Sequence, residues 1–127
     1  MNTTNNKPFK ILKNWQYNLN EGNLSEVLKL YNKCFELIPT FSSEIITDHE
    51  QLEEYFLNII KIQKGKVEFQ PKSVSEQKVC ENTYILCGKY FFHLIEGERI
   101  PARFSFLINL LSDNPIMHHH SSQSIRN

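Results

Sequence analysis

The spacing of apolar residues changes once along this chain, and that change limits the fold more than any other feature. Up to Ile60 apolar residues recur every three or four positions, the spacing of helices with one buried face. From Val67 onward they alternate with polar residues, the spacing of strands with one buried face. Helices first and strands afterwards, within 127 residues, predict one α+β domain. Residues 1–8 read as a frayed terminus, 9–123 as the domain and 124–127 as a tail.

The first helix uses Ile11, Leu12, Trp15 and Leu19, and Gly22 is its expected stop. Asn23, with Glu26 three positions on, opens a second helix as a capping box. Its stripe is Leu24, Val27, Leu28, Tyr31, Cys34, Phe35 and Ile38, and Pro39 ends it. Residues 39–46 read as loop. Thr47 and Glu50 repeat the capping pattern before a third helix, which buries Leu52, Tyr55, Phe56, Ile59 and Ile60 and stops at Gly65. Val67 and Phe69 mark an edge strand limited by Pro71. Longer strands are expected at about 82–95, 102–110 and 116–122, with turns at 96–99 and 112–115. Short turns predict a mostly antiparallel sheet. Helices gathered on one face of a curved sheet leave a concave space, the expected place for a pocket.

Lys plus Arg and Asp plus Glu each total 14, so the net charge is zero. That balance removes the electrostatic case for nucleic acid or an anionic membrane as partner, and it permits self-association. Cys34, Cys80 and Cys87 are odd in number and show no CxxC spacing, which predicts free thiols in a reducing compartment. The N-terminal MNTTNNKPFK lacks the apolar core of a signal peptide. The most apolar window, Phe104 to Leu111, is too short to span a bilayer. A soluble, cytoplasmic protein is the expectation.

The most unusual run is His118, His119 and His120, followed by Ser121 and Ser122. On a strand His118 and His120 share one face and His119 takes the other. Two histidines on a face do not complete a metal site, and no HExxH or Cys/His cluster adds ligands, so no metal or cofactor is expected. The histidines are expected to line a pocket or an interface. Arg103 interrupts an apolar strand in which Phe104, Phe106 and Ile108 share one face, with Arg103, Ser105 and Leu107 on the other. It lies on a solvated face, or it is paired in a cavity and offers a cation to a carboxylate; periodicity leaves both open. If Leu107 pairs with Met117, Ser105 faces His119 and Arg103 faces Ser121. A one-residue slip instead puts Arg103 on the face of His118 and His120. Tyr84, Gly88, Tyr90 and Phe92 form another alternating face, where Gly88 marks a bulge or bend and Tyr90 could offer a hydroxyl. Tyr55 and Trp15, on helix faces, complete the pocket candidates, although an aromatic stripe is more often core. GxSxG, P-loop and GxGxxG patterns are all absent, and no residue is singled out as catalytic.

The order Trp15, Gly22-Asn23, Val27 to Tyr31, Ile38-Pro39-Thr40-Phe41-Ser42, Tyr55-Phe56, Gly88-Lys89-Tyr90, Ala102 to Phe106 and His118 to Ser122 carries a resemblance. It resembles free-standing bacterial proteins similar to the association domain of calcium/calmodulin-dependent protein kinase II. These belong to the nuclear-transport-factor-2-like (SnoaL-like) superfamily. The resemblance covers about residues 9–123, and the ARFSF and HHHSS segments are its most specific part. It implies a cone of three N-terminal helices packed in a strongly bent sheet. It also implies self-association, as a homodimer or larger ring, and an arginine-containing pocket suited to carboxylates. Arg103 resembles one such pocket arginine, and the closing histidines resemble the end of the last strand. The family usually has a Gly-containing turn and a Trp before that strand, whereas residues 109–115 contain neither. No kinase signature is present.

Two functions follow as expectations. The first is a non-catalytic, self-associating domain with a concave pocket for a small, anionic molecule, held by Arg103, Ser105, Tyr90 and the histidines. The second is a small cofactor-independent enzyme of isomerase, cyclase or dehydratase type with a pocket histidine as general base.

Overall fold

The structure is a computed structural model that describes residues 7–95, 97 and 99–125. Helix α1 spans Lys7–Asn20, so Lys7 and Pro8 are helical rather than frayed; the rest of the expected frayed terminus lies outside the described residues. Pro8, Leu12, Trp15, Asn18 and Leu19 form its buried face. Gly22, at φ 78°, adopts the left-handed geometry that a glycine stop accepts at no steric cost.

Helix α2 is short, Leu24–Lys29. Asn23 precedes it, but its side chain makes no cap; its amide donates to Asn18 Oδ1 instead. The expected second helix is corrected beyond this point: Tyr31–Ile38 is a strand, β1. Tyr31, Phe35 and Leu37 are buried and Cys34 is exposed. Even spacing along the strand puts all three inward residues on one face, and the register with the partner strand shifts between Tyr31 and Glu36. Tyr31 and Phe35 are four residues apart, which also suits a helix, so the spacing alone does not separate the two. A partner strand far along the chain decides the outcome by taking the backbone hydrogen bonds.

Helix α3, His49–Leu57, continues into a wider π-helical turn at Asn58–Ile62. Its cap is Asp48, whose carboxylate accepts from Gln51 N at 2.8 Å, and not the expected Thr47. Strand β2 is Lys66–Phe69, β3 Ser75–Cys80, β4 Thr83–His93, β5 Arg99–Asn109 and β6 Ile116–Gln123. The turn expected at 96–99 falls partly outside the described residues. The sheet order is β1-β6-β5-β4-β2, with β3 also paired to β4. Among the described residues only the β1–β6 pair is parallel. The sheet therefore has six strands rather than four, and it is mostly antiparallel as expected.

All the large buried side chains sit between the helices and one sheet face. The Trp15 indole packs edge-on against Phe56 and Phe106 and stacks on Tyr90 at 5.9 Å. Phe69, Phe104 and Phe92 extend the cluster. Each well-placed aromatic pair adds about 0.5–1.5 kcal/mol beyond its buried area. Gly88 marks no bulge, because β4 and β5 pair without a break through Gly88↔Phe104. Its lack of a side chain admits the Phe104 ring: a Cβ there would lie 2.9 Å from Phe104 Cζ and 3.1 Å from the Val74 backbone.

Candidate functional site

The β5–β6 register sorts the candidates. Arg103 pairs with Ser122, Ser105 with His120, Phe106 with His119 and Leu107 with His118. Ile108 then pairs with Ile116, so Met117 is the extra residue of a bulge. This is the slipped register: Arg103, Ser105, His118, His120 and Ser122 point to the outer sheet face. His119, Ser121, Tyr90 and Trp15 point inward. Arg103 and Tyr90 are therefore on opposite faces of the sheet and do not share one wall.

Inside, the polar groups form one chain. Trp15 Nε1–H donates to the Tyr31 hydroxyl at 3.1 Å. The Tyr31 hydroxyl lies 2.8 Å from His119 Nδ1, and the Tyr90 hydroxyl 3.1 Å from His119 Nε2. Tyr90 donates to Ser121 Oγ at 2.6 Å, and Ser121 Oγ lies 2.5 Å from Thr40 Oγ1. The directions follow from the ends. Trp15 can only donate, so the Tyr31 proton is available for His119 Nδ1. Tyr90 spends its proton on Ser121, so His119 must donate from Nε2. The imidazole is the neutral Nε2–H tautomer, and each link has one donor and one acceptor.

Burial holds His119 well below the usual histidine range, and the neighbouring His118 and His120 push the same way. Burial also raises Tyr31 and Tyr90 above the ordinary phenol value, so both remain protonated donors. The Phe106 ring stacks on the imidazole at 3.8 Å. Trp15, Tyr31, Tyr90 and His119 are each at most 2% exposed, so side chains fill the place where the concave pocket was expected. Tyr31, Ser121 and Thr40 were missed as members. Ser121 was readable, since it lies two residues from His119 and so shares its face; Thr40 sits in a loop with no periodic signal.

Tyr55 stands apart. Its hydroxyl accepts from Phe41 N at 3.3 Å, and burial raises its pKa. It lines a surface groove of about 300 Å³ with Phe41, Glu44, Ile46 and Glu54. On the outer face a hollow of about 240 Å³ is lined by Arg103, Phe104, Ser105, His120 and Ser122. A second, more apolar hollow of about 410 Å³ lies beside it, lined by residues that include Cys34, Ile85, Leu107, Met117 and His118. Among the described residues, no group of three or more His, Cys, Asp or Glu could hold a metal ion. Nor is any described helix long and apolar enough to cross a membrane.

Three helices on one face of an open, mostly antiparallel sheet define a cystatin-like cone, an α+β fold that the chain shares with solved structures. Among solved structures it is similar to a candidate calcium/calmodulin-dependent protein kinase II association domain from Xanthomonas campestris. That likeness has 26% identity and a TM-score of 0.79, and it covers 91% of this chain and 84% of the other. It is also similar to an NTF-2-like protein of unknown function from Shewanella oneidensis, at 16% identity and a TM-score of 0.75, covering 94% and 99%. A candidate dehydratase of the NTF2-like family from Streptomyces avermitilis has 8% identity and a TM-score of 0.79, covering 94% and 95%. The last two likenesses concern the fold alone. No family model and no curated protein matches the chain.

Proposed function

We propose that this is a non-catalytic, self-associating cone that also holds a small anion. The observation that carries the reading is the outer sheet face. The apolar core and all three helices lie on the other side. Across the outer face Ile85, Leu107 and His118 stand in one row, next to Met117 and Cys34. An uncovered sheet face with an apolar strip suits burial against a second copy. A net charge of zero opposes such pairing little. The likeness to a candidate association domain supports the same reading.

The enzymatic alternative uses a pocket histidine as general base, and that histidine must exchange a proton with a bound substrate. His119 has both ring nitrogens engaged and is held neutral by burial, which speaks for the non-catalytic reading. Sedimentation velocity of the wild type and of Leu107→Glu tests the proposal. The wild type is expected as a dimer or larger, and the variant as a folded monomer. A wild type that stays monomeric at every concentration would set the reading aside.

A further inference from the structure

The polar half of the outer face has a chemistry of its own. Lys89 on β4 lies directly opposite Arg103 on β5, and Arg103 lies opposite Ser122 on β6. In the next row Ser105 lies opposite His120. Two like charges directly opposite across a ladder repel. Among the described residues, neither cation forms an ion pair, and none of the five side chains Lys89, Arg103, Ser105, His120 and Ser122 makes a hydrogen bond. Glu36, on the same face at the far edge, is taken by His118 Nδ1 at 3.5 Å. Arg103, Ser105, His120 and Ser122 line one hollow of about 240 Å³.

We propose that Lys89, Arg103, Ser105, His120 and Ser122 form a cradle for a free oxyanion, a phosphate or a carboxylate, on the outer face of the sheet. It rests on the anion-holding reading above and gives the anion a place and a chemistry. The guanidinium supplies a planar pair of N–H donors that matches two oxygens. The Ser105 hydroxyl on the same strand, and the Ser122 hydroxyl and His120 imidazole on β6, supply further donors. Lys89 adds charge, and a bound anion relieves its repulsion with Arg103. Because three adjacent strands carry these groups, the backbone holds them in place before the ligand arrives.

The test is NMR titration of the full chain with inorganic phosphate and, separately, with succinate, at low ionic strength. Saturable amide shifts are expected around 87–89, 103–105 and 120–122. Arg103→Gln should weaken binding about tenfold or more, through loss of a charge-assisted pair of hydrogen bonds. Lys89→Gln should weaken it several-fold, and Lys13→Gln on the exposed side of α1 not at all. Arg103 is exposed, so its variant should keep the wild-type circular dichroism and melting curve. Saturation by either anion supports the cradle. No saturation at millimolar anion, or equal weakening by Lys13→Gln, overturns it. If Arg103→Gln instead lowers self-association and neither anion saturates, the cradle receives a carboxylate of a second copy and the free-ligand proposal fails. A monomeric wild type that still binds anion through Arg103 would remove self-association and leave the cradle standing.

Discussion

Removing single hydroxyls from the buried chain should give a ranked set of losses. Tyr→Phe deletes one oxygen, so the packing term stays small and the polar term dominates. In Tyr31→Phe the Trp15 Nε1–H loses its acceptor and His119 Nδ1 loses its donor. Two buried polar groups are stranded, at about 1–3 kcal/mol each, so the loss is about 2–6 kcal/mol. In Tyr90→Phe only His119 Nε2–H is stranded, because Ser121 keeps Thr40, and the loss is about 1–3 kcal/mol. In Tyr55→Phe the Phe41 N–H is left at an exposed position where water replaces the hydroxyl, and the loss is below about 1 kcal/mol. The assay is urea unfolding by circular dichroism, with equal slopes required for the comparison. A Tyr90→Phe loss equal to or larger than that of Tyr31→Phe would refute the assigned bond directions.

Three further outcomes are expected. His119 stays neutral in the folded state while its unfolded counterpart gains a proton below about pH 6.5, so stability should fall as pH drops from there. Its share of the slope approaches about 1.4 kcal/mol per pH unit, and a flat stability between pH values of about 6.5 and 5 would contradict this. Gly88→Ala should cost about 1–3 kcal/mol in thermal unfolding, since the new Cβ meets the Phe104 ring and the Val74 backbone; an unchanged melting temperature would show that both yield freely. Asp48→Ala should cost about 0.5–2 kcal/mol by loss of the α3 cap, whereas Thr47→Ala should cost little. Paired urea titrations of the two variants decide between the caps.

The interior was readable where period and burial agree. Tyr90 and Phe92 alternate on β4 and Phe104, Phe106 and Ile108 on β5, and all five are buried. His119 was separable from His118 and His120 by alternation alone. Three features were not readable, each for a physical reason. Tyr31 and Phe35 satisfy a helical spacing, and only the remote β6 makes them a strand. Strand β3 has six exposed residues and so no apolar alternation to reveal it; backbone pairing with β4 holds it in place. The face of Arg103 depends on one extra residue at Met117, and the turn that sets it carries no glycine. That turn is held instead by side-chain bonds, Asn32 Nδ2 to Ser112 Oγ and Asn114 Nδ2 to the Lys29 carbonyl. Such contacts between distant segments leave no local pattern. The resemblance brought Arg103, Tyr90 and the histidines together as one site, and the sheet divides them between its inner and outer faces.

The measurement that bears most directly on the non-catalytic reading is imidazole ¹⁵N NMR of His119 in the folded protein. The expected result is a neutral Nε2–H tautomer, with no protonation across the mildly acidic range and no response to small anions. A His119 that titrates near the ordinary histidine value, or shifts when a small molecule is added, would contradict the closed network and return the imidazole to the role of a general base.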